Sequence, residues 1–135
     1  MNVLVDTSVW SLALRRAKPA PSTIARELAE LVREGRVVMI GPIRQELLSG
    51  LREHRQFQLL RDHLRAFLDV DAEPEDFEEA ALFFNRCRAK GIQGSNTDFL
   101  MCAMASRRGL AIFTTDGDFR EYARVLSLRV HQPRR

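Results

Sequence analysis

Four carboxylates in this chain fall where they could do chemistry: Asp6, Glu46, Asp98 and Asp116. Asp6 follows the apolar run Val3, Leu4, Val5 and leads into Thr7, Ser8 and Val9, while Asp116 follows Leu110 to Phe113 and the pair Thr114, Thr115, with Asp118 two residues on. Removing an unpaired carboxylate from water costs several kcal/mol or more, so a chain that ends a buried strand in one normally supplies a metal ion, a cation or several donors. Were the two strands neighbours, their acids would repel and one pKa would rise unless a cation neutralised them. Glu46 and Asp98, each in an early turn of a helix, are placed to complete such a cluster. The three histidines and two cysteines are scattered and match no metal-ligand spacing. An all-oxygen site selects hard cations, Mg²⁺ or Mn²⁺. Such an ion lowers the pKa of a bound water, orients it for in-line attack on phosphorus and stabilises the charge that develops. The chemistry implied is phosphodiester hydrolysis.

The elements that position these acids alternate between strand and helix. Val9 to Arg15 fits a short helix, broken by a loop at Lys18, Pro19, Ala20 and Pro21. Ser22 caps an amphipathic helix with Ile24, Leu28, Leu31 and Val32 on one face and Arg26, Glu27, Glu30, Arg33 and Glu34 on the others, stopped by Gly35. Arg36 to Ile40 reads as a buried strand, and Pro42 starts a helix over Ile43 to Ser49 that presents Glu46. A helix over Glu53 to Phe67 turns Phe57, Leu60, Leu64 and Phe67 inward, and Leu68 to Val70 is a short strand. Between Asp69 and Glu79 stand seven acids in eleven residues, most of them in the first turn of a helix that begins at Pro74 or Glu75 and runs to Gly91. They read as capping and solubility, and as a surface that repels RNA.

The stretch Asp98 to Ala105 is apolar around almost its whole circumference, which predicts a helix buried on several sides. Ser95, three residues before Asp98, resembles a capping box, and locally capping is explanation enough for that acid. A strand over Leu110 to Phe113, a helix over Phe119 to Val125 and a last strand over Leu126 to Val130 precede the basic tail of Pro133, Arg134 and Arg135. This alternation predicts a parallel sheet with helices on both faces, in which ligands bind beyond the C-terminal ends of the strands. Asp6 and Asp116 lie at two such ends.

The totals set bounds. At 135 residues the length predicts one domain spanning 1–135, with a core that needs no disulfide or structural metal. No apolar run approaches a membrane span and the N-terminus has no signal-peptide pattern, which with the sparse cysteines predicts a cytoplasmic protein. Cys87 and Cys102 read as core packing. Net charge is +3, and of the 21 basic residues only Lys18 and Lys90 are lysines. An arginine-rich surface suits nucleic acid, although a GC-rich codon bias explains it equally well.

With these acids in place the chain resembles the PIN-domain nucleases, and most closely their VapC-type toxin branch. The resemblance rests on the opening DTSVW, the GPIRQELLSG segment around Glu46, and DFLMCAMASRRGLAIFTTDGDF from Asp98 to Phe119. It implies a three-layer α/β/α fold with a parallel, roughly five-stranded sheet. It makes Asp6 and Asp98 the principal ligands of Mg²⁺ (or Mn²⁺), with Glu46 and Asp116 completing the acidic site, Asp116 also as a ligand. Asp118 is a weaker candidate, and Ser8 and Thr114 match small polar positions that orient the carboxylates. Under the resemblance Asp98 is a ligand, a role compatible with capping. It further implies an endoribonuclease acting on RNA, a small VapB-like antitoxin that lays a helix or tail across the acidic groove, a toxin–antitoxin hetero-oligomer, and a homodimer for which Trp10 and the helices of the first half offer surfaces. Two other readings compete: a PIN nuclease of RNA processing without an antitoxin, and a non-catalytic, Mg²⁺-binding receiver or scaffold domain. A receiver wants adjacent acids after the first strand and a late lysine, and this chain has Thr7 after Asp6 and no lysine beyond Lys90.

Overall fold

Three parallel strands, in the order β2-β1-β3, form the sheet: β1 (Val3–Val5), β2 (Val37–Val38) and β3 (Ala111–Phe113). The structure, a computed structural model, describes residues 1–14 and 22–134; the loop expected at Lys18 to Pro21, the end of the first helix at Arg15 and the last residue of the basic tail lie outside them. β1 is central, with Val3 paired to Val37 on one side and to Ala111 on the other. Val3, Leu4 and Val5 are each 0% exposed. Successive strand side chains point to opposite faces, so both faces of the sheet are covered, as expected of a parallel sheet between helices.

Among the described residues seven helices do the covering: α1 (Thr7–Ala13), α2 (Thr23–Arg33), α3 (Gly41–Leu48), α4 (His54–Leu64), α5 (Pro74–Ala89), α6 (Asn96–Arg108) and α7 (Asp118–Ala123). The expectation for α6 holds, since every residue from Phe99 to Ala105 is buried. Its C-terminus closes on Gly109, whose φ of 66° is the left-handed turn that glycine adopts without strain. Cys87 and Cys102 are both buried, unpaired core residues.

Four expectations need correction. Among the described residues the sheet has three strands and not five, because the outer segments reduce to single parallel bridges, Met39 with Asp69 and Ile112 with Val130. At the first edge Leu68 is 90% exposed and Asp69 turns its carboxylate to Arg44 at 2.7 Å, so of this segment only Val70 packs against the core. At the other, the Leu128 N–H turns back to the Leu126 carbonyl, and pairing with Ile112 starts only at Arg129. Trp10 is not a surface for a partner: it is 2% exposed and meets Phe67 edge-on at 5.3 Å. Phe57, Leu60 and Phe67 are only partly buried. Glu27, expected on the polar face of α2, is 2% exposed. The chain's tail covers it, His131 Nε2 meeting Glu27 Oε2 at 2.6 Å and Arg134 Nε donating to Oε1 at 2.9 Å. Burial alone would raise this carboxyl, and the bonds to His131 and Arg134 bring it below its ordinary value.

The acidic run also contains a structural residue. Asp76 is 0% exposed and accepts from Arg107 Nη1 at 2.6 Å and from Arg108 Nη1 and Nη2 at 2.7 and 2.8 Å. It also bonds the Glu73 N–H at 2.7 Å, which makes it half of a capping box for α5. One carboxylate thus locks the start of α5 to the end of α6. The bond from Arg108, against the cost of burial and with help from Glu73 and Arg107, holds its carboxyl far below the ordinary 3.8. Asp76→Ala is expected to cost about 2–4 kcal/mol in urea unfolding, short of the full penalty because both guanidinium groups keep contact with water. A depressed acid stabilises the fold above its unfolded pKa and loses that contribution as pH falls, so the gap between the two proteins should narrow below pH 3.8. Equal unfolding midpoints at neutral pH would refute the clamp.

Candidate active site

β1 hands over to α1 at Asp6, two residues earlier than the expected helix start at Val9. Asp6 occupies the N-cap position with extended backbone (φ −72°, ψ 154°), yet its side chain makes no capping bond. The carboxylate, 7% exposed, instead receives the hydroxyls of Ser8 and Thr114, each at 2.8 Å and both on Oδ2. Ser8 Oγ and Thr114 Oγ1 are 3.3 Å apart, but each hydroxyl has one proton and spends it on Asp6, so the two do not bond each other. Their lone pairs accept instead, Ser8 from the Thr115 N–H and Thr114 from the Asp116 N–H, both at 3.0 Å. The Asp6 N–H donates to the Phe113 carbonyl at 2.9 Å. The ends of β1 and β3 are therefore laced together through one carboxylate oxygen.

The strand-end loop continues with Asp116 Oδ1 accepting from the Asp118 N–H at 2.9 Å. Across from it, α6 presents Asp98. Ser95 caps that helix by accepting the Asp98 N–H at 3.0 Å, but only this half of a capping box forms, since the Asp98 carboxylate is engaged elsewhere: Tyr122 donates to its Oδ2 at 2.6 Å. One carboxylate oxygen from each of Asp98, Asp116 and Asp118 lies within 4.8 Å of the others. Glu46 arrives from α3, and Thr7 donates to its Oε1 at 3.1 Å. All seven residues singled out in the sequence thus gather at the C-terminal end of the sheet. Asp118, the weaker candidate, is in that close group, and Asp6 is not.

The acids feel one another. Desolvation raises the Asp98 carboxyl most, the Tyr122 bond opposes this, and the charges of Asp6 and Asp116 push it further up. Desolvation also raises Glu46, eased by Thr7 and reinforced by the charges of Asp6 and Asp98. Among the described residues no Arg, Lys or His forms an ion pair with any of the five. A crowd of carboxylates, two of them with raised pKa values, and no counter-charge among the described residues is suited to a divalent cation. Sequence reasoning missed Thr7 and Tyr122. Thr7 was in view beside Asp6, whereas nothing in the local pattern around Tyr122 points to a partner 24 residues away.

Residues 3–125 match the model of the PIN domain family. The chain is 33% identical over 133 residues to the VapC ribonuclease Mb1587 of Mycobacterium bovis and to ribonuclease VapC11 of Mycobacterium tuberculosis, an alignment that covers 94% of this chain and 96% of each relative. Among solved structures, VapBC2 from Rickettsia felis, bound to a DNA fragment from its promoter, shares the fold with a TM-score of 0.78 at 17% identity, over 97% of this chain and 98% of that one.

An acid whose pKa is raised by folding stabilises the folded state only while protonated, and that contribution is lost as pH climbs from the unfolded value through the folded one. In EDTA, Glu46→Gln is therefore expected to melt at a higher temperature than the wild type at pH 7, with the difference shrinking below pH 4.5, the ordinary glutamate value. Saturating Mg²⁺ should raise the wild-type melting temperature; at a hundred times Kd the gain is roughly 2.7 kcal/mol. Thermal scans with and without EDTA decide it, and a variant less stable than the wild type would show that burial and the neighbouring acids do not penalise the Glu46 charge.

Proposed function

This chain belongs to the PIN-domain family, and from that premise we propose that it is a metal-dependent endoribonuclease serving as the toxin of a toxin–antitoxin pair. The observation that carries the reading is the convergence of Asp6, Glu46, Asp98 and Asp116, from four different parts of the chain, on one end of a parallel sheet. Identity to named VapC ribonucleases along almost the whole chain supports it. The family match also sets aside the receiver reading.

The donor set fits a hard divalent cation: carboxylate oxygens alone, with those of Asp98, Asp116 and Asp118 mutually within 4.8 Å. Cys102, one turn beyond Asp98, is no competing thiolate, because burial, with the Asp98 charge beside it, pushes its thiol up. On this reading Asp6, Asp98 and Asp116 would hold Mg²⁺, or Mn²⁺, with Asp118 adjoining. The bound ion would supply a water of lowered pKa and positive charge against the phosphate. Asp6, with both of its donors on Oδ2, keeps Oδ1 for a ligand. Glu46, held at Oε1 by Thr7, is placed to take up a proton at Oε2, and burial with the nearby acids raises its affinity for that proton. Ser8 and Thr114 orient Asp6 and take no part in proton transfer, since their own protons are committed.

For the antitoxin, an apolar groove between α1, α3 and α4, lined by Leu14, Leu47, Leu51, Leu59 and Leu60, offers a seat for the apolar side of a small partner. A basic residue of that partner reaching the acids would complete inhibition, and a homodimer belongs to the same reading, without Trp10. No helix of the described residues is long and apolar enough to cross a membrane, and we place the protein in the cytoplasm. The test is cleavage of total RNA and a labelled RNA panel by antitoxin-free protein with Mg²⁺, Mn²⁺ or EDTA. Cutting should require the metal. Asp6→Asn and Asp98→Asn should each lose on the order of 10²-fold or more, consistent with several kcal/mol of charge stabilisation. Folded wild type and variants that are equally inert in either metal would sink the proposal.

A further inference from the structure

Tyr122 has no part in the reading above, yet its hydroxyl makes a 2.6 Å bond to Asp98 Oδ2. Its ring, 0% exposed, is wedged between Phe99 at 4.9 Å and Phe119 at 5.2 Å. A phenylalanine would satisfy that packing equally well, and a buried phenol is tolerated only where its O–H finds an acceptor. The acceptor here is a candidate metal ligand. The chain also makes room for the contact. Gly94, in the loop before α6, passes so close over the ring that a Cβ there would stand 2.7 Å from Cζ and 2.8 Å from Cε1 of Tyr122. Gly94 is not among the glycines with positive φ, so close approach and not backbone conformation calls for glycine at this position. The next residue, Ser95, bonds the Asp98 N–H. The backbone of Asp98 is thus fixed from the loop and its carboxylate from α7.

We infer that Tyr122 is a positioning residue for Asp98: its hydroxyl occupies Oδ2, fixes the carboxylate rotamer and leaves the other oxygen to the metal ion, while Gly94 keeps the space that lets the hydroxyl reach. The inference rests on the proposed role of Asp98 as a ligand. Partners of this kind, one bond removed from a metal, are commonly worth 10–100-fold in affinity.

Calorimetric titration of the antitoxin-free chain with Mn²⁺ tests it without recourse to activity. Tyr122→Phe, which keeps the ring, is expected to fold and to bind Mn²⁺ roughly 10–100-fold more weakly. Gly94→Ala, which keeps the hydroxyl but displaces it, should weaken binding in the same direction, and Asp98→Asn should abolish it. Tyr122 is the only tyrosine in the chain, so Mg²⁺ should also change the near-ultraviolet spectrum of the wild type through a tyrosine band that Tyr122→Phe lacks. If Asp98→Asn abolishes binding while Tyr122→Phe and Gly94→Ala bind as the wild type does, the inference alone is overturned. If Asp98→Asn itself binds normally, the ligand assignment falls and takes the inference with it. Should Tyr122→Phe fail to fold, Gly94→Ala and the wild-type spectrum decide, and a tyrosine band indifferent to saturating Mg²⁺ counts against it.

Discussion

Asp6 sits where the central strand becomes a helix, and its carboxylate is gripped on one oxygen by hydroxyls from two separate elements. The rest of the site depends on that grip. Ser8 reaches it from the first turn of α1 and Thr114 from the end of β3, and the two hydroxyls in turn accept the N–H groups of Thr115 and Asp116. The loop that carries Asp116 and Asp118 is therefore held in place by the same oxygen that anchors Asp6. Without the parallel pairing of β1 with β3 the two hydroxyls would not meet. Without the hydroxyls the strand-end acids would lack the donors that make a largely buried carboxylate tolerable.

Elsewhere the chain treats buried acids differently. Asp76 and Glu27 are as inaccessible as Asp6, and each is matched by arginine: Arg107 and Arg108 for the first, Arg134 with His131 for the second. Both carboxyls lie below their ordinary values, and both serve the fold, one joining α5 to α6 and the other fastening the tail to α2. At the end of the sheet the pairing stops. Asp98 and Glu46 are raised, each by desolvation and by acidic neighbours. Among the described residues this cluster has neutral side-chain donors only, from Ser8, Thr114, Thr7 and Tyr122. Neutral donors orient carboxylates without cancelling their charge, which is what a site that must bind a cation requires.

Much of this was legible in the sequence because it followed from period and type. The apolar runs ending in Asp6 and Asp116 announced parallel strands, and the all-round apolar character of Phe99 to Ala105 announced a buried helix. What escaped detection was long-range or at the margins. Burial of Glu27 depends on a tail more than a hundred residues away, and helical periodicity alone assigns it to solvent. The edge segments near Asp69 and Val130 carry strand-like residues, but whether one rung or four form is decided by side chains such as Arg44 that compete for the same backbone and carboxylate. Asp98 illustrates both limits. Its spacing from Ser95 correctly marked a helix start, yet the destination of its carboxylate could be learned only from Tyr122, on a different helix.

On the proposed reading the protein must bring a polyanion to a cluster of carboxylates, and the distribution of the other charges bears on how. The interaction between exposed charges fades over roughly 8 Å at physiological ionic strength, so repulsion from the site acts mainly at contact. Further out, the acids that would extend the negative field are largely taken up by arginine: Asp69 by Arg44, Asp76 by Arg107 and Arg108, Glu34 by Arg36 and Arg134. With a net charge of +3 the chain as a whole does not repel RNA at a distance, although Asp71, Glu75, Glu78 and Glu79 form a second acidic surface beside α5. At contact a divalent cation offsets two of the site's charges and presents its own positive charge to the phosphate. The ion on this view does two things with one charge: it relieves the repulsion that folding imposes on Glu46 and Asp98, and it makes the same place attractive to a phosphate. Stability and function then share a single switch, the occupancy of the acidic site.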